Sequence, residues 1–252
     1  MAQSVRVPEV EIIETEKMEL GKPTIILGFT GPGLIGCIAV AHLIEQLGMT
    51  EVAHIRSRHL PPAVVFIDGR LRSPFRIYSD KSGELCAVVC EIPIYSKGAY
   101  PITSALLDWA EEKGAKELIV LEGVPIEDGP GERRVFCAAE PEKIEEYKAK
   151  GVEMLSAGII QGIAGSILSE CLTRKITGVA FLTPTFAYMP DPEGAVTLIE
   201  TLNNVHNLGI KTEELSNSVK EIKQKLSEIA QNRQKMIRSE ESRGSPEPQL
   251  FA

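Results

Sequence analysis

At 252 residues, with 43% hydrophobic and 25% charged side chains, the chain can bury one large core and has the composition of a folded protein rather than a disordered or fibrous one. A net charge of −8 is an unfavourable background for binding nucleic acid or an anionic membrane, so neither is expected as a partner. The apolar runs are too short and interrupted to span a bilayer, residues 1–10 lack a signal-peptide stretch, and a cytoplasmic location is expected.

Short β-branched runs alternate with helix-like stretches. Strands are predicted over 24–29 and 51–57 with a helix over 34–47 between them, followed by strands at 63–67 and 85–92. Turn sequences at Asp68-Gly69 and Lys81-Ser82-Gly83 divide the 52–89 region, which predicts antiparallel pairing there. A helix over 102–112 offers Leu106, Leu107, Trp109 and Ala110 as a buried face. A strand over 117–121, a helix over 158–172, a strand over 177–182 and a helix over 193–208 complete the pattern. The alternation predicts an α/β layered fold with a mixed sheet, in one domain over 1–210. Cys37, Cys86, Cys90, Cys137 and Cys171 show no CxxC pair and no histidine at ligand spacing, and are expected to be buried free thiols. Cys86 and Cys90, four apart on one strand, share a face but are too far apart for an easy disulfide.

Beyond Gly209 the pattern changes. Leu215, Val219, Ile222, Leu226, Ile229 and Met236 recur at heptad-like steps on a charged background, predicting an amphipathic helix over 211–238. Thr212 is its N-cap, and Glu213 and Glu214 fill the first turn. Arg233 interrupts the stripe, which argues against a long autonomous coiled coil, and the stripe can pack on the domain or on another subunit. Residues 239–252, with Gly244, Pro246 and Pro248, are predicted to be a mobile tail. That tail ends on Leu250 and Phe251 before the carboxylate of Ala252. Two hydrophobes at the end of a polar tail read as a docking element for another protein, against the plainer reading of a frayed end.

Gly31-Pro-Gly-Leu-Ile-Gly36 matches GxGxxG between a predicted strand and helix, the placement a dinucleotide loop requires. The next strand ends in Arg56-Ser57-Arg58, without the acid that would hold a ribose. Those arginines suit a phosphate-bearing cofactor, so a nucleotide-dependent enzyme using Gly31, Gly33 and Gly36 stands as the alternative function. The favoured reading is that the glycines permit a sharp turn and close helix-to-sheet packing. In a second loop, Glu122, Glu127, Asp128 and Glu132 offer oxygen ligands to a hard metal ion, but a solvated turn is the preferred reading. Gly158, Gly162 and Gly165 are read as a small-residue face of one helix. His42, His54, His59 and His206 have no catalytic or metal-ligand spacing, so no catalytic residues, metal or cofactor are assigned.

Three segments in this order carry a resemblance: Gly28-Phe-Thr-Gly-Pro-Gly-Leu-Ile-Gly36, Gly158-Ile-Ile-Gln-Gly-Ile-Ala-Gly-Ser-Ile-Leu168 and Pro190-Asp-Pro-Glu-Gly-Ala195. The chain, from about residue 24 to 208, resembles the proteasome assembly chaperone 2 family and its archaeal homologues. That resemblance implies a non-enzymatic chaperone scaffold with a three-layer, nucleoside-phosphorylase-like α/β/α fold. The ending Leu250-Phe251-Ala252 is similar to the hydrophobic-tyrosine-any-residue motif by which proteasome activators and assembly factors enter pockets between 20S α subunits, with Phe251 in place of tyrosine. The resemblance thus implies the 20S α ring as partner, together with a homo-oligomer, tetramer or pentamer, and a paralogue as a further candidate subunit.

Overall fold

The computed structural model describes residues 8–15, 19–67, 69–127, 129–213 and 215. In chain order the elements are β1 (Val10–Glu14), β2 (Thr24–Phe29), a 3-10 turn (Pro32–Leu34), α1 (Ile35–Gln46), β3 (Thr50–Ser57), β4 (Val65–Ile67) and β5 (Arg70–Arg72). There follow β6 (Phe75–Ser79), β7 (Leu85–Cys90), α2 (Ser96–Glu112), β8 (Glu117–Pro125), β9 (Phe136–Ala139) and α3 (Pro141–Ala149). The series closes with β10 (Glu153–Met154), α4 (Gly162–Arg174), β11 (Gly178–Thr185) and α5 (Pro192–His206).

Nine of these strands form one mixed sheet in the order β1-β3-β6-β7-β2-β8-β11-β9-β10, while β4 and β5 make a separate hairpin. The central strands β7, β2, β8 and β11 run parallel. The flanks β1, β3 and β6 on one side and β9 on the other are antiparallel to their inner neighbours; the predicted turn at 81–83 separates antiparallel β6 and β7, whereas 68–69 falls between β4 and β5 of the separate hairpin. Central strands are buried on both faces, which is why 24–29 and 85–90 read as continuous apolar runs rather than alternating ones.

Alternate residues of these strands feed two cores. Ile26, Ile119 and Phe181 pack against α1 and α5, whereas Ile25, Leu27, Val88 and Val120 pack against α2 and α4. The molecule is therefore a three-layer α/β/α sandwich. All five thiols are free and buried, Cys86 and Cys90 together in the α2–α4 core.

Several boundaries differ from the sequence expectation, and each difference has a local cause. Helix α2 starts at Ser96 rather than 102, with Pro101 inside it. A proline there costs on the order of 3 kcal/mol, but Ile102, Leu106, Leu107 and Trp109 are all buried, each contributing about 1.5–3 kcal/mol. Gly158, Gly162 and Gly165 do not form one helix face: Gly158 precedes α4, Gly162 opens it at φ 68°, and Gly165 alone lies against a neighbouring backbone, the Ile160 carbonyl. The short strands β1, β9 and β10 and helix α3 carry too few residues to show a period, and their pairing partners lie far along the chain.

Of the predicted 211–238 helix only 211–213 and 215 are described; there the Leu215 amide donates to the Thr212 carbonyl at 3.2 Å and Leu215 is fully buried in the α1–α5 core. Residues 216–252 lie outside the described residues, and with them the rest of the stripe, the 239–252 tail, Leu250, Phe251 and Ala252.

Candidate functional site

The glycine loop sits at the carboxyl edge of the parallel strands, between the end of β2 and the start of α1. Gly33 and Leu34 both adopt left-handed backbone conformations, φ 63° and 52°, so the chain reverses within three residues before Ile35 starts the helix. Protein atoms crowd the side of each of these glycines from which a side chain would project. A side chain on Gly31 would collide with the Glu122 carboxylate, and one on Gly33 with the Thr185 hydroxyl. One on Gly36 would strike the Leu121 carbonyl. These glycines are spent on contact between helix, loop and strands β8 and β11, which agrees with the packing reading of Gly31, Gly33 and Gly36. A carboxylate against the loop also repels phosphate.

The arginines that suited a phosphate-bearing cofactor are elsewhere. Strand β3 is three strands away from β2, so Arg56 and Arg58 are separated from the loop by about 14 Å of sheet. Both are paired, Arg56 with Glu11 of β1 at 2.6 Å and Arg58 with Glu9 just before it at 3.0 Å. The proposed oxygen-ligand loop is divided as well, since Glu122 lies on Gly31 and Glu132 pairs with Arg134 at 2.6 Å, while Asp128 is outside the described residues.

One buried carboxylate fastens this edge together, and sequence reasoning did not single it out. Asp191 caps α5 by accepting from the Gly194 amide at 3.1 Å, and Pro192 at the first helical position fits the same start. Arg133 holds it in a bidentate pair at 2.5 and 2.8 Å, and the Thr185 hydroxyl donates to it at 2.8 Å. The Asp191 amide donates to the Gly33 carbonyl at 2.8 Å, and Arg133 also donates to the Pro184 carbonyl at 3.0 Å. Glycine loop, β11, the 126–133 segment and α5 thus share one hub.

Around that hub lies an apolar rim. Val124 is exposed at the end of β8, Ile126, Ile159, Tyr188 and Met189 are exposed in the loops that follow β8 and β11 or precede α4, and Tyr100 stands near the start of α2. Tyr188 is 84% exposed although its neighbours are fixed, because the Ile126 amide donates to the Thr185 carbonyl at 3.0 Å and joins the two loops. These side chains leave apolar surface uncovered at this edge.

The opposite edge is polar. Glu117, at the start of β8, is buried, accepts from the Tyr147 hydroxyl at 2.9 Å and pairs with Lys143 at 3.1 Å. His206, at the end of α5, lies 3.5 Å from the same hydroxyl, and burial pushes its pKa down against the opposing pull of Glu117. From here the chain is strapped across the domain. The Asn203 side chain donates to the Ile210 carbonyl at 2.7 Å and accepts from its amide at 2.9 Å, and the His42 ring bonds the Lys211 carbonyl at 2.7 Å. No helix among the described residues is long and apolar enough to cross a membrane.

Residues 25–230 match the sequence profile of the PAC2 family. The chain belongs to the PAC2 family. Solved structures bear out both fold and resemblance. A Thermoplasma acidophilum protein of unknown function is 40% identical, with 89% of this chain and 93% of that one covered at a TM-score of 0.82. Pyrococcus furiosus PbaA, an archaeal homolog of proteasome-assembly chaperone, is 25% identical in its monoclinic form over 94% of this chain and 100% of its own, at 0.79. Pyrococcus furiosus PbaB, an archaeal proteasome activator, is 26% identical over 88% and 98%, at 0.75. The three segments that carried the resemblance map, in this PAC2 member, onto the glycine loop, the start of α4 and the Asp191 cap of α5.

Proposed function

We propose that this PAC2 protein is a proteasome-binding chaperone or activator, a binder rather than an enzyme, that works in the cytoplasm as a homo-oligomer and engages the 20S α ring through Leu250, Phe251 and Ala252. The observation that carries the reading is PAC2 membership together with likeness over nearly the whole chain to PbaA and PbaB. The glycine loop supports the same choice, since Gly31, Gly33 and Gly36 lie directly against Glu122, Thr185 and Leu121 of the protein itself. In the tail, Phe251 supplies apolar burial and the carboxylate of Ala252 can pair with a pocket lysine. Several weak tails on one oligomer engage a symmetric ring far more tightly than one tail does.

Capture of purified archaeal 20S particles by the full chain, and by a variant ending at Gln249, tests both parts. Removal of the last three residues is expected to lower capture at least about tenfold and to abolish any peptidase stimulation. Equal capture by the shortened variant would dismiss the tail as the contact, and no capture by either chain would dismiss the proteasome as partner.

A further inference from the structure

Antiparallel pairing of Ala138 with Ala180 and of Ala139 with Val179 sets the end of β9 beside the start of β11, and so brings the first turn of α3 near the last turn of α4. Gly178 has no side chain to hold α4 off the sheet, and a Cβ there would stand 2.7 Å from the Cβ of Cys171. Between α3, α4 and these strand ends lies a cleft of about 510 Å³. Sites for small ligands commonly measure about 300–1,000 Å³. Ala138, Leu168, Leu172 and Ile176 give the cleft apolar walls, and Leu172 is 59% exposed.

The charges around it are divided by element. Glu140 and Glu142 come from the α3 side, and Lys175 comes from the α4 side. Lys143 also borders the cleft, but its ammonium is held by Glu117 at 3.1 Å and by Glu146 at 2.8 Å. Glu142 stands in the first turn of α3, where a negative charge suits the positive end of the helix. Glu140 directly precedes that helix, yet its carboxylate makes no capping bond. Neither Glu140 nor Lys175 has an ion pair among the described residues, and both are exposed. An unpaired acid and an unpaired cation therefore flank an apolar cleft from opposite sides.

We propose that this cleft binds a free dipeptide with apolar side chains, its ammonium on Glu140, its carboxylate on Lys175 and its side chains against Leu168 and Leu172. Charge complementarity selects this class. An apolar carboxylate lacking an ammonium would bring a negative charge beside Glu140 and Glu142, and an apolar amine would leave Lys175 opposed by a like charge. Because the two charges belong to different elements, the ligand must carry its own at two ends, as a dipeptide does and a single amino acid does not. An internal stretch of a longer chain has neither charge to offer. The assignment is independent of proteasome engagement and of oligomeric state.

Calorimetric titration of the full chain with leucyl-leucine tests it, alongside N-acetyl-leucyl-leucine, leucyl-leucinamide and glycyl-glycine. Leucyl-leucine is expected to saturate one site per chain, the acetylated and amidated forms to bind about three- to tenfold more weakly, and glycyl-glycine to give no measurable heat. Glu140→Gln is expected to remove the preference for the free ammonium while keeping that for the carboxylate, and Lys175→Gln the reverse, a split that a loss of stability would not produce. Ala138→Phe, which fills the cleft, is expected to abolish binding, with thermal unfolding as the check that it folds; should it not fold, the two charge variants on exposed side chains decide alone. Absence of saturable binding by leucyl-leucine at millimolar concentration overturns the assignment. Equal binding of the acetylated or amidated form does so too, as it would leave only an apolar or singly charged cleft, and so does a folded Ala138→Phe that binds like the wild type.

Discussion

Asp191 shows how much a single residue can hold. Its carboxylate is only 3% exposed, and Arg133, Thr185 and the Gly194 amide all bond to it. Replacing one member of such a pair strands the other's charge, which typically costs about 3–5 kcal/mol. Arg133 keeps some contact with water, so Asp191→Asn is expected at the low end, about 3 kcal/mol, in urea unfolding. The double variant with Arg133→Gln should cost less than the two single losses together, and strict additivity would show that the pair is not coupled. The glycines of this site were legible in the sequence because spacing after a strand is a local signal. Glu122, Thr185, Asp191 and Arg133 were not, since what makes them matter is contact across some 60 to 160 residues of chain. A literal GxGxxG could not reveal that Glu122 lies against Gly31.

At the scale of elements, α5 links the two edges: its first turn is capped by Asp191, and its last residue, His206, sits in the Tyr147–Glu117 cluster. The His206 ring is held below its ordinary pKa in the fold, with burial opposing the charged form and Lys150 and Lys143 adding to that effect against Glu117 and Glu146. An unfolded chain then binds a proton that the native state resists. The resulting stability is present above about pH 6.5 and is lost as pH falls through the folded value. His206→Gln is expected to flatten the urea midpoint between pH 7 and pH 5, and an unchanged slope would place the dependence in other groups. Carboxylates such as Glu146, held low by Lys143, lose their contribution only at more acid pH. Long periodic elements, β2, α1 and α5, were readable to within a residue or two. Strand β1 was not, because Val10–Glu14 is defined by its ladder with Arg56 and Ser57 rather than by its own pattern.

For the whole molecule, the sheet order decides function more than any element does. Placing β6 and β7 between β3 and β2 separates the arginines of one from the glycines of the other, and no local pattern announces that arrangement. The same order divides the protein into an apolar carboxyl edge and a polar amino edge from which residues 207–215 lead away. The five cysteines are distributed between both cores, with Cys37 and Cys137 on the α1–α5 side and Cys86, Cys90 and Cys171 on the other. Desolvation raises every one of these thiols, to about 12 at Cys86, Cys90, Cys137 and Cys171. Almost no thiolate exists near neutrality, so a thiol reagent must wait for the layers to part. Alkylation followed by mass spectrometry therefore becomes a clock for global opening. All five sites are expected to be modified together, and stepwise modification of one set before the other would show that the two cores open separately.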